Sequence, residues 1–190
     1  MNLESGSISR LVAELSLAEQ HAREGAAREL YRRGRELAES AIAKWRAESE
    51  IGKLLSNDAT VGIAVMPARF SAVRMALGNP RLAQVPPDQD AMEFEWDAGD
   101  GAHLDILTTR EPGGTGAIAR FLAKMGEGIQ QVEFLTSDVE RATELIRARF
   151  GIAAIYPQTR AGADGTQVNF LLTSTPDGKR ILIELVEAPK

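Results

Sequence analysis

The chain contains no cysteine. That excludes disulfides, thiolate nucleophiles and the cysteine-ligated zinc and iron–sulfur sites. Histidine is nearly absent as well: His21 and His103 are the two present, so a histidine-dependent triad or metal site must use one of them. No apolar run approaches the roughly 18–20 residues of a membrane span. The opening MNLESGSISR lacks the apolar stretch of a secretory signal. With cysteine missing, these features predict a cytoplasmic protein. Basic charge is scarce too. The formal net charge is -5 and the pI about 5.2, which argues against binding nucleic acid through its phosphates.

What is present is an ordinary globular composition. Of 190 residues, 44% are hydrophobic and 26% charged, enough to bury a core. The distribution is uneven. Residues 1–55 hold no proline and no phenylalanine, and their nine Lys/Arg balance nine Asp/Glu. This front part is rich in Ala, Glu, Leu and Arg, which favour helix. Ser5 or Ser7 is positioned to cap a first short helix carrying Ile8, Leu11, Val12 and Leu15. Gly25 marks an expected joint. Leu30, Gly34, Leu37, Ala38, Ala41, Ile42 and Trp45 then recur every three or four residues, forming an apolar stripe. That stripe needs a partner surface, either the body of the chain or a second copy.

From residue 59 onward short apolar runs alternate with turns. Strands are predicted at Thr60–Val65, Arg81–Val85, Ala91–Trp96, His103–Thr108, Ile129–Thr136, Ile152–Tyr156, Gln167–Thr173 and Arg180–Glu187, and helices at Ala68–Leu77, Gly116–Met125 and Ser137–Phe150. VGIAVMPARFSAVRMALG from Val61 and VEFLTSDVERATELIRARFG from Val132 each read as strand, helix and closing glycine. Each is followed by further strands, ending in HLDILT and ILIELVE. The expected organisation is therefore α+β: an N-terminal helical extension over 1–57, then a domain over 58–190 built from two tandem β-α-β-β-β modules. The modules cover about 58–112 and 128–190, with a linker helix at about 116–125.

Three Gly- or Arg-rich stretches have plain readings. Glu111-Pro-Gly-Gly-Thr-Gly116 lacks the Lys-Ser/Thr of a phosphate loop and reads as a connection into the linker helix. Gly162-Ala-Asp-Gly-Thr166 reads as a hairpin turn. Arg32, Arg33 and Arg35 are balanced by Glu29, Glu36 and Glu39 on one helix.

Two tandem modules of this kind resemble the vicinal oxygen chelate superfamily, the glyoxalase and bleomycin-resistance fold. Within it, the chain is most similar to methylmalonyl-CoA epimerase. The resemblance is carried by VGIAV at 61–65, AIARFLAKMGEGIQQVEFLTSDVERA at 117–142 and GADGTQVNFLLTSTPDGKRILIELVE at 162–187. It implies a cupped mixed sheet, a small-molecule ligand or substrate, and a homodimer. It also implies one metal ion in the cup, whose four ligand positions fall on Thr60, Asp105, Gln131 and Glu184. Thr60 and Gln131 stand where the superfamily has its two ligand histidines.

Strand alternation gives a second reading of the same cup. With Glu184 facing inward, the lining becomes Thr60, Glu93, Glu95, His103, Asp105, Gln131, Glu133, Asn169 and Glu184. An oxygen-rich set of Asp105, Gln131 and Glu184, with His103 as a substitute ligand, would favour Mg²⁺, Mn²⁺, Ca²⁺ or Co²⁺ over Zn²⁺. Three functions stay open. The first is an epimerase- or lyase-like enzyme moving a proton next to a carbonyl, with Glu184, Glu133, Glu93 and Glu95 as proton carriers. The second is a non-catalytic protein that sequesters a small ligand, for which an acidic cup favours a cationic one. The third is a pseudoenzyme whose N-terminal helices carry an interaction role. The loss of both histidines weighs against true methylmalonyl-CoA epimerase activity, and nothing in the sequence points to nucleic acid or membrane as a partner.

Overall fold

The computed structural model describes residues 3–189. In chain order the elements are α1 (Leu3–Glu14), α2 (Gln20–Ala47), α3 (Ile51–Leu54), β1 (Leu55–Ala64), α4 (Pro67–Ala76), β2 (Met92–Asp97), β3 (His103–Thr108), α5 (Ala117–Met125), β4 (Gly128–Thr136), α6 (Val139–Phe150), β5 (Arg160–Ala161), β6 (Gln167–Ser174) and β7 (Arg180–Glu187). This is the α+β architecture expected, with the helical extension in front of two strand–helix–strand modules. No helix among the described residues is long and apolar enough to cross a membrane. The chain forms two compact units, one of residues up to Arg33 with Val61–Gln130, the other of Gly34–Thr60 with Gln131 onward.

In the first unit the strand order is β2-β3-β1. β2 and β3 pair antiparallel, with Phe94 opposite Ile106 and Glu95 opposite Asp105. Opposed residues share a face, so Phe94, Leu104 and Ile106 lie on one side. There they are fully buried, and Phe94 meets Phe70 of α4 edge-on at 5.1 Å. On the other side Ala64 and Leu107 pack against Leu122, Ile118 and Phe121 of α5. The amphipathic linker helix thus covers that face at its Leu107 end.

Helices α1 and α2 differ from the sequence reading. Ser5 and Ser7 lie inside α1, and Ser7 Oγ accepts a bond from Arg33 Nη1 at 2.9 Å. The joint falls at residues 15–19, not at Gly25, which sits within α2. Glu19 explains the position: its carboxylate accepts the backbone N–H groups of His21 and Ala22, satisfying donors that a helix start leaves open.

Arg81–Val85 forms no strand. Pro80, Pro86 and Pro87 flank it and supply no N–H groups. One backbone bond, Ala83 N to Glu93 O at 3.0 Å, holds it beside β2.

In the second unit the order is β4-β7-β6-β5, a mixed arrangement. β4 runs parallel to β7, which pairs antiparallel with β6, as does β6 with β5. Helix α6 packs on β6 and β7 over the face bearing Val132, Phe134, Ile183 and Leu185, all fully buried. Asp138 caps α6 by accepting the Arg141 N–H at 2.8 Å. Gly151 ends it at φ 69, in the left-handed region where glycine carries no Cβ penalty. Ile152–Tyr156 shrinks to a single bridge, Ala154 to Leu171, because Pro157 follows and cannot extend the ladder.

The apolar stripe of α2 is buried within the chain itself. Ala26, Ala27 and Leu30 are covered in the first unit; Ala38, Ile42 and Trp45 are covered in the second. On the second unit's buried face, Arg46 lies over the Phe134 ring at 4.9 Å. It also grips Glu39 at 2.7 and 3.0 Å and the Ser56 carbonyl at 3.0 Å. The stripe therefore supplies no argument for a dimer.

Candidate functional site

The face of the second unit turned away from α6 is read directly from the strand register. Glu133 of β4 pairs with Glu184 of β7, and Glu184 with Phe170 of β6. The row on one side runs Leu135, Val186, Val168 and Arg160; on the other side Leu182 pairs with Leu172. A carboxylate row is thus flanked by apolar residues, with Arg160 at the end of one flanking row. Leu135, near the end of β4, is 50% exposed and Leu172, near the end of β6, is 40% exposed. Tyr156 meets Phe170 edge-on at 6.0 Å, and Arg160 stacks 4.6 Å over the Tyr156 ring. The aromatic pair and Arg160 border the face.

Gln131 joins the two carboxylates. Its Nε2 donates to Glu184 Oε2 in a short bond and to Glu133 Oε1 at 3.3 Å. Gln131 and Glu184 are both 8% exposed, and Glu133 is half-buried. Of the residues expected in the cup, the structure brings these three together.

Asn169 is a correction. The register sets it opposite Leu185, on the α6 side and away from Glu184. It is 1% exposed. Its Nδ2 donates to the Tyr156 carbonyl at 3.2 Å, and its Oδ1 accepts the Phe170 N–H at 2.8 Å. This is a structural asparagine. The residues missed on the site face are Val168, Phe170 and Leu172. The signal for them was the loop length. Five residues separate β6 from β7, with Gly178 at φ 84 in the turn, and that count puts even-numbered residues of both strands on one face.

In the first unit Glu93, Glu95, His103 and Asp105 share one face, as alternation requires: Glu93 pairs with Leu107, Glu95 with Asp105, and Asp97 with His103. Asp105 is buried while His103 and Glu95 are exposed. Thr60 is half-buried on β1, alternating with the fully buried Val61 and Ile63.

A divalent ion asks for several oxygen donors converging at about 2.0–2.6 Å. Among the described residues, no group of three or more His, Asp or Glu side chains is placed to hold one. Where Glu133 and Glu184 converge, an N–H donor stands between them. This donor set does not fit a resident divalent ion.

Comparison with solved structures places the fold. Methylmalonyl-CoA epimerase from Mycobacterium tuberculosis is 30% identical, with a TM-score of 0.54 over 72% of this chain and 88% of that one. A variant of the Streptomyces coelicolor methylmalonyl-CoA epimerase in complex with 2-nitronate-propionyl-CoA is 28% identical, with a TM-score of 0.54, covering 72% and 99%. A methylmalonyl-CoA epimerase in complex with methylmalonyl-CoA and NH4+ is 28% identical, with a TM-score of 0.53, covering 71% and 95%. No family profile and no curated protein sequence matches the chain. The strand–helix modules and these similarities together show that the chain belongs to the vicinal oxygen chelate superfamily, with methylmalonyl-CoA epimerases among its relatives.

Proposed function

We propose that the chain binds a small amphipathic ligand on the Glu184 face of its second module, without the proton-transfer chemistry of the epimerases. The observation that carries this reading is the pair of exposed leucines, Leu135 and Leu172, beside the Glu133–Glu184 row. Exposed apolar surface on a sheet face favours an apolar body. A carboxylate row favours a head group that donates hydrogen bonds or carries positive charge, and disfavours a carboxylate. Both protons of the Gln131 amide point to carboxylates, so this amide is poorly placed to polarise a substrate carbonyl.

The test is calorimetric titration of the full chain with a short alkylammonium and with the fatty acid of matched length. The ammonium should bind at least about tenfold more tightly, a difference of about 1.4 kcal/mol, and Glu133→Gln should erase the preference. Equal or tighter binding of the carboxylate would overturn the reading.

A second reading is favoured by the relatives, two of which were solved with CoA esters. In it the ligand is an acyl-CoA, and Glu184 and Glu133 of the second unit carry protons beside its carbonyl. A homodimer rests on the resemblance alone, and sedimentation of the intact chain decides it.

A further inference from the structure

We propose that Gln131 is the built-in counter-group of a carboxylate pair: its neutral amide occupies the position a divalent cation would otherwise fill between Glu133 and Glu184. Those two side chains are cross-strand partners on one face of the parallel β4–β7 pair. Adjacent like charges on a sheet face are destabilising unless something between them supplies positive potential. Gln131 Nε2 has two protons, and one nitrogen reaches both carboxylates, Glu184 Oε2 by a short bond and Glu133 Oε1 at 3.3 Å.

The amide's orientation follows from the same chemistry. Turned over, its oxygen would face two acceptors that bring no proton. Gln131 and Glu184 are more than nine-tenths buried, and a bond to a charged group is worth most where water is excluded. The flanking positions on β7 and β6, Leu182, Val186 and Phe170, are apolar. A metal entering this point would have to displace the amide. Replacing the amide with a third carboxylate should therefore create a requirement for the ion that the wild-type chain does without.

Thermal unfolding of the full chain, treated with chelator and then given Mn²⁺, tests this. The wild-type midpoint should not move. Gln131→Glu should be less stable in chelator and should gain about 5 °C with saturating Mn²⁺. Adding Glu184→Gln to that variant should remove the gain. Two results overturn the proposal: a wild-type chain that Mn²⁺ stabilises in a Glu184-dependent way, or a folded Gln131→Glu variant that gains nothing. Should that variant not fold, the wild-type side-chain amide resonances of Gln131 decide. They should shift on Glu133→Gln and on Glu184→Gln, and resonances unmoved by both changes would refute the bridge.

Discussion

At the residue scale, carboxylates in this chain do three kinds of structural work. Glu19 and Glu48 close helix starts by accepting backbone N–H groups. The backbone bond from Ile51 comes first among the influences that hold the Glu48 carboxyl below its ordinary range, and nearby Arg149 adds to it. Asp90 organises the turn after β3 by accepting from Thr109, Arg110 and Glu111. Glu29 is held by Arg32 and Arg33, with three bonds of 2.7–2.8 Å. Those bonds lower its pKa to about 2 from 4.5. Because the folded-state value is the lower one, Glu29 stabilises the fold above pH 4.5 and loses that contribution as pH falls toward 2. Its side chain is 31% exposed, so screening limits the effect. Glu29→Gln should cost about 1 kcal/mol or less at pH 7 and distinctly less at pH 2, where the folded-state carboxyl is half protonated, as urea unfolding at the two pH values would show. An equal cost at both would mean that packing, not charge, is what is lost.

This scale was only partly legible in the sequence. Alternation put Gln131 and Glu133 on one face of β4, a regular strand, and the resemblance supplied the phase that set Glu184 of β7 beside them. Asn169 was misplaced because alternation within one strand says nothing of its phase against the next. The loop between β6 and β7 sets that phase. The Gln131 bridge was not legible, since a bond between two strands is a property of their parallel register, which no single segment encodes.

At the element scale, the firm predictions from sequence were the segments with one strong period. β3 and β7 fall at the residues expected, and α6 starts where Asp138 caps it. The failures lie where proline interrupts an apolar run, at Arg81–Val85 and at Ile152–Tyr156, since the ladder needs N–H groups that proline lacks. The N-terminal stripe was read correctly as apolar, but its partner could not be named: an amphipathic helix specifies a buried face and not what buries it. The structure answers through Arg46 of α2, which combines a fork on Glu39, a bond to the Ser56 carbonyl and stacking on Phe134. Arg46→Ala should destabilise the chain by about 1–3 kcal/mol. Arg46→Lys should recover little of that, because an ammonium cannot reproduce the planar fork. Denaturant unfolding of both variants checks this, and a loss below about 0.3 kcal/mol for the alanine variant would remove Arg46 from the account.

At the scale of the whole molecule, the duplicated module was visible from its repeated strand–helix–glycine order, and the superfamily from three stretches of sequence. The activity was not, because one scaffold hosts many chemistries and function resides in particular side chains. In the proposed function the chain binds a ligand without moving its α-proton. The most direct test incubates the intact protein with propionyl-CoA and methylmalonyl-CoA in D2O, with and without Mn²⁺, and follows deuterium at the α-carbon by mass spectrometry. The prediction is exchange no faster than in the buffer blank under either condition. Exchange above the blank that Glu184→Gln abolishes would contradict the account and make Glu184 the base of a working enzyme.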